Sequence, residues 1–203
     1  MAPPKDRNVI ATLNPERTAV LSMDLQAGIV SIYAKDSPLV GLASQVLARA
    51  RTAGMLVVHV RVGFRPGLPE ISSRNPLFGA IKSSPQHQKL FEGETGDIHR
   101  SVAPHPNDIV VTKHRVSAFA GTDLEMILRA RDVDTLVLFG IATSGVVLST
   151  LLYASDADFR IVVIRDCCAD VDPDLHACLL NSLFPRRASV VTAAVFLGPD
   201  TEI

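Results

Sequence analysis

No apolar run in these 203 residues approaches the roughly 20 needed to span a bilayer. The longest, such as Thr135 to Phe139 and Ile161 to Ile164, are strand-length, and the amino terminus MAPPKDRNVI lacks the apolar core of a secretory signal. The reading is of a chain with no membrane partner, expected in the cytoplasm. Cysteine is scarce. There are three, and Cys167 and Cys168 are neighbours too close in sequence for an ordinary structural bridge, which excludes a disulfide scaffold and points to reduced thiols. Charge of one sign is lacking too: 20 Lys and Arg balance 21 Asp and Glu. No long-range field would draw such a surface to nucleic acid, and the expected partner is a small molecule. Repeats, low-complexity tracts and charge blocks are absent. So are Gly-x-Gly-x-x-Gly, a Gly-Lys-Ser/Thr loop and the Gly-x-Ser-x-Gly elbow, the signatures of dinucleotide binding, nucleoside-triphosphate binding and one class of serine hydrolase.

What is present is apolar sequence in strand-length and helix-length pieces, 47% of the chain against 20% charged. That is enough to bury one core between two helical layers, and the expectation is a single domain over residues 1–203. Strand signals fall at Thr18 to Met23, Met55 to Val60, Ile109 to Thr112, Thr135 to Phe139, Ile161 to Ile164 and Ser189 to Thr192. Helical spacing lies between most of them. Ser37 and Pro38 open a helix that Gly54 stops, Thr122 and Glu125 have capping-box spacing, and Asp172 and Pro173 open a last helix. Strands alternating with helices give an α/β fold, a mostly parallel sheet in a three-layer α/β/α arrangement. One connection is anomalous. Residues 63–108 hold six prolines and little periodicity, a long loop expected to act as a lid and to be ordered by a second copy of the chain in a homo-oligomer, a dimer or tetramer.

With both faces of the sheet covered, the strand ends form the open crevice. Asp24 ends the first strand among apolar residues that would raise its pKa and suit it to proton transfer near neutrality, and it leads the candidates; the lesser alternative is that, as a residue common at strand ends, it caps the next turn. Lys113 ends the third strand and can orient Asp24 or stabilise an oxyanion. Gly140 to Gly145 turns from a strand into a helix, so its backbone N–H groups can hold an anion, while Ser144 reads as a cap rather than a nucleophile. Phe64, Arg65, Arg74 and Phe78 in the long loop, with Arg115 and Phe119 after Lys113, can line a pocket for a planar acid. Solvated or intersubunit arginines are the bland alternative.

Ser22-Met23-Asp24-Leu25-Gln26, Val111-Thr112-Lys113 and Gly140-Ile141-Ala142-Thr143 followed by Thr150 resemble the isochorismatase-like superfamily, the cysteine hydrolases, over nearly the whole chain. The resemblance implies six parallel strands, a catalytic Asp at Asp24, a catalytic Lys at Lys113, and a non-proline cis peptide between Ile141 and Ala142. It places Gln26, Ala142, Ser144, Gly145 and Val146 about the substrate. Amidase members carry a nucleophilic Cys where this chain has Val146. Isochorismatases proper have glycine there and protonate a vinyl ether, and here glycine stands one residue earlier, at Gly145. Metal-binding members place an Asp and histidines after the second strand, where this sequence reads His59-Val60-Arg61-Val62-Gly63-Phe64-Arg65. Neither a metal nor another cofactor is expected, and His59 reads as a core histidine. Three functional readings follow: a hydrolase using Asp24 and Lys113 without a covalent intermediate, an amidase with a displaced nucleophile, and a non-catalytic binding relative.

Overall fold

A computed structural model describes residues 13–198. Six strands, β1 (Thr18–Met23), β2 (Leu56–Val62), β3 (Ile109–Lys113), β4 (Thr135–Ile141), β5 (Arg160–Ala169) and β6 (Ser189–Val191), form one sheet in the order β3-β2-β1-β4-β5-β6 with every pairing parallel. The expected three-layer α/β/α class is therefore observed. The two central strands, β1 and β4, are buried along their whole length, as continuous apolar sequence in a doubly covered sheet requires. The helices are α1 (Ala27–Tyr33), α2 (Leu39–Thr52), α3 (Pro76–Ser83), α4 (Pro85–Lys89), α5 (Gly93–Gly96), α6 (Leu124–Ala130), α7 (Leu148–Asp156), α8 (Pro173–Cys178) and α9 (Ala193–Leu197). Among the described residues no helix is long and apolar enough to cross a membrane.

Three local readings differ from the structure. Helix α1 carries no side-chain cap at Gln26 and is apolar almost throughout, so neither capping nor amphipathic spacing betrays it. The Thr122–Glu125 capping box does not close: Thr122 Oγ1 accepts from Leu124 N at 3.3 Å, but Glu125 is taken by Tyr153, whose hydroxyl donates to it at 2.6 Å. Residues 63–108 are not structureless. Two of their six prolines start helices, with Asn75 and Ser84 capping the turns that begin at Pro76 and Pro85, the position where a missing N–H costs nothing. The segment is anchored by Ile71, Phe78 and Val102, all buried.

Strand order fixes where a ligand can enter. From β1 the chain steps outward through β2 to β3, then returns to β4 and steps outward the other way through β5 to β6. The crevice at such a reversal, beyond the carboxyl ends of β1 and β4, is where open α/β sheets bind ligands. Asp24 follows β1 there, and the Gly140 turn ends β4.

Candidate active site

Asp24 has φ +57°, a left-handed conformation that Asp tolerates better than most residues, and its N–H donates to Val60 O at 2.8 Å. Its carboxylate is 2.8 Å from Lys113 Nζ through Oδ2, and both side chains are almost wholly buried. Lys113 comes from the edge strand β3, two strand spacings away across β2, about 9.6 Å. A long side chain is needed to cover that gap. Its ammonium also donates to Arg115 O at 3.0 Å. Asp24 Oδ1, by contrast, is buried with no hydrogen-bond partner. Burial pushes the Asp24 carboxyl above its usual range, opposed by the charge and the hydrogen bond of Lys113. One oxygen is thus held by a cation, and the other is buried without a hydrogen-bond partner.

The turn after β4 contains the cis peptide between Ile141 and Ala142. Gly140 lies opposite Met23 in the β1–β4 register with φ +149°, and a Cβ on it would stand 2.1 Å from Met23 O. Only glycine lets the two strand ends approach this closely. A π-helical turn over Thr143–Val147 leads into α7. Val146 is buried and Gly145 half-buried. The loop after Lys113 packs on this turn: a Cβ on Gly145 would meet Val116 at 3.9 Å, and Thr150 Oγ1 accepts from Ala118 N at 3.0 Å.

The remaining candidates divide. Phe64 packs edge-on against Phe78 and Phe91, with centroids 6.0 and 5.6 Å apart, and lies 6.3 Å from the His114 ring next to Lys113. Arg65 points to solvent and pairs with Glu70. Arg115 is exposed, bonded to the His114 carbonyl and stacked over Phe78 at 5.9 Å. Gln26 is not presented to a ligand: its Nε2 donates to Val62 O and Gly96 O at 3.0 and 2.6 Å, and its Oε1 accepts from Val62 N at 2.7 Å. Both amide hydrogens are spent joining β1, β2 and the long segment. Phe119 is likewise a core residue, stacked on Tyr153 at 4.4 Å. A recess of about 490 Å³ lies within the long segment, lined by Phe64, Arg65, Leu68, Lys82 and Phe91 among others, and neither Asp24 nor Lys113 lines it.

His59 sits in the core as read. Its Nε2 is 3.1 Å from Asp108 Oδ2, which also takes Arg51 Nη2 at 2.6 Å. Among the described residues no group of three or more His, Cys, Asp or Glu could hold a metal ion. Cys168 lies beside Gly140 in the β4–β5 pairing, its thiol donating to Ile164 O at 3.4 Å. Burial pushes it to about 12, so it is a thiol and not a thiolate at neutral pH. Burial also raises Cys167, while Cys178 is exposed. A polar group behind the turn, formed by Thr143, Asp170 and His176, went unread in the sequence. Asp170 lay too near the cap residue Asp172 to stand out, and its partner Ser144 is 26 residues away.

Comparison with known proteins gives a consistent picture. The profile for the isochorismatase domain matches residues 18–195. An uncharacterised isochorismatase family protein of Escherichia coli O157:H7, YecD, is 32% identical over 182 residues, 88% of this chain and 93% of that protein. The maleamate amidohydrolase of Pseudomonas putida KT2440 is 32% identical over 151 residues, 74% of this chain and 68% of the enzyme. Among solved structures, an isochorismatase family protein from Burkholderia thailandensis superposes with a TM-score of 0.81 at 30% identity, covering 95% of this chain and 98% of its own.

Proposed function

The chain belongs to the isochorismatase family and is a hydrolase, and from that premise we propose that it cleaves a small, carboxylate-bearing substrate by proton transfer through Asp24, with no cysteine nucleophile. The observation that carries this reading is the buried Asp24 carboxylate with Oδ2 on Lys113 and Oδ1 unpartnered. Asp24 Oδ1 takes a proton from water as the water oxygen bonds to the electrophilic carbon, then returns it to the leaving group as that bond breaks. Lys113 holds the carboxylate in place and opposes, by its charge and its hydrogen bond, the rise in pKa that burial causes. Val146 supports the absence of a covalent step, because its side chain offers no nucleophile at the position amidases use. Phe64, Phe78 and Arg115 offer an apolar wall and a cation for a planar carboxylate. Residues 63–108 act as the lid: Gly96 O and Asp97 O bind Gln26 and Ala27 just beyond Asp24.

The test is a turnover screen over isochorismate, amides and carbamates with Asp24→Asn as control. Hydrolysis by the substituted enzyme with kcat within about tenfold of the wild type removes the mechanism. The likeness to maleamate amidohydrolase favours a second reading, amide hydrolysis at the same site with a nucleophile other than residue 146. An acyl-enzyme mass after incubation with maleamate would establish it in place of the first. We further propose a homo-oligomer, a dimer or tetramer. Leu77, Met126 and Val171 are each at least 60% exposed, apolar side chains that a second copy would cover, and a strict monomer in sedimentation velocity would contradict it.

A further inference from the structure

Beyond β4 on the side away from β1, the end of β5 and the start of α8 present polar side chains that the proton-transfer scheme does not use. Asp170 follows β5 directly. Its Oδ2 accepts from Ser144 N at 2.7 Å, and its Oδ1 from Val171 N at 2.9 Å and Asp172 N at 3.5 Å. One residue earlier in the same turn, Thr143 Oγ1 donates to Ala169 O at 3.2 Å and lies 2.8 Å from His176 Nδ1. Both polar residues of the turn are therefore tied to one short stretch, residues 169–176.

The turn has need of such ties. The N–H groups of Gly145 and Val147 both go to Ala142 O, at 3.1 and 3.3 Å, and the first N–H groups of a helical segment lack acceptors within it. Ser144 N finds its acceptor in Asp170. Elsewhere an N–H in this position greets an anionic ligand; here the anion is a side chain of the protein. Burial opposes ionisation of Asp170, but the N–H and hydroxyl of Ser144 and the N–H groups of Asp172 and Val171 outweigh it and hold the carboxyl below its usual range. Its charge also reaches Tyr33 at the end of α1, whose hydroxyl is raised by burial and then by Asp170.

We propose that Asp170 is a positioning residue, whose carboxylate grips Ser144 N–H and so keeps Ala142, Gly145 and Val146 in register with the Asp24–Lys113 pair. The proposal rests on the reading of Asp24 as the proton-transfer group, and it is tested first without any substrate. In the ¹⁵N-labelled full chain, the Ser144 amide should exchange with solvent at least about tenfold faster in Asp170→Ala than in the wild type, the loss of one charge-assisted hydrogen bond. Formate added to the variant should slow that exchange again by filling the vacated place. Asp170→Asn, nearly isosteric, should give a smaller acceleration and serves if the alanine variant does not fold. With a substrate from the turnover screen, Asp170→Ala should lower kcat about tenfold or more at a KM within about twofold, and formate should recover part of kcat.

Ser144 exchange within twofold of the wild type overturns the proposal. So does a kcat within twofold of the wild type despite faster exchange, or a loss of kcat that follows thermal stability and ignores formate. Turnover retained by Asp24→Asn would instead overturn the proton-transfer reading, and the exchange measurement would still judge the Asp170 tether.

Discussion

Replacing Gly140 by alanine perturbs the contact that brings the two halves of the site together. The added Cβ would stand 2.1 Å from Met23 O and 2.9 Å from both Met23 C and Met23 Cβ, with backbone on one side and a fully buried strand on the other. No flexible side-chain tip is available to yield, so β1 and β4 must part by about 1 Å or the turn must rotate. The backbone conformation, φ +149°, adds strain of about 1–3 kcal/mol for a residue with a Cβ. Overpacking between two central strands adds about 1–3 kcal/mol. A total of about 2–6 kcal/mol is a large part of the 5–15 kcal/mol that typically stabilises a domain. Urea denaturation should show the midpoint falling with an unchanged m-value, the mark of lost stability rather than a change in compactness. Because Met23 precedes Asp24, the surviving folded enzyme should also lose turnover beyond its loss of folded population. A variant within about 0.5 kcal/mol of the wild type would refute the reasoning.

Other perturbations have equally definite outcomes. Iodoacetamide should label Cys178, which is exposed, while Cys167 and Cys168 stay protected in the native state, and turnover should continue; inactivation with protection by substrate would mean that a thiol is the nucleophile. Burial lowers the His59 pKa against the raising effect of Asp108. A base whose folded pKa is depressed contributes stability present above its unfolded pKa, about 6.5, and lost as pH falls below it. Denaturation from pH 8 to 5 should therefore show declining stability, with a shallower decline in His59→Gln, and an unchanged slope in that variant would contradict the assignment.

Much of this architecture could be read from residue order because it depends on local apolar pattern. β1 begins and ends where its apolar run does, at Thr18 and Met23. β5 runs on to Ala169, past the Ile161 to Ile164 run, because Leu138 pairs with Val163 but Gly140 with Cys168, and the bulge between them carries the polar Arg165 and Asp166. Nothing in periodicity announces a bulge. Asp24 and Lys113 were legible because strand ends in a covered sheet leave few places for a buried charge. Side-chain direction was not. Gln26 and Phe119 lie close in sequence to the site residues, yet one spends its amide on backbone groups and the other stacks on Tyr153. Asp170 was missed for a related reason, since its role depends on Ser144, a long-range partner that no spacing rule connects to it.

If a buried aspartate, without a thiol, carries the chemistry, removing its carboxylate must remove most of the turnover. The most direct measurement is turnover of Asp24→Asn beside the wild type on the best substrate of the screen, with circular dichroism confirming that both are folded. An amide cannot take up and return the proton, so kcat should fall about a hundredfold or more. A folded Asp24→Asn variant that keeps kcat within about tenfold of the wild type would contradict it.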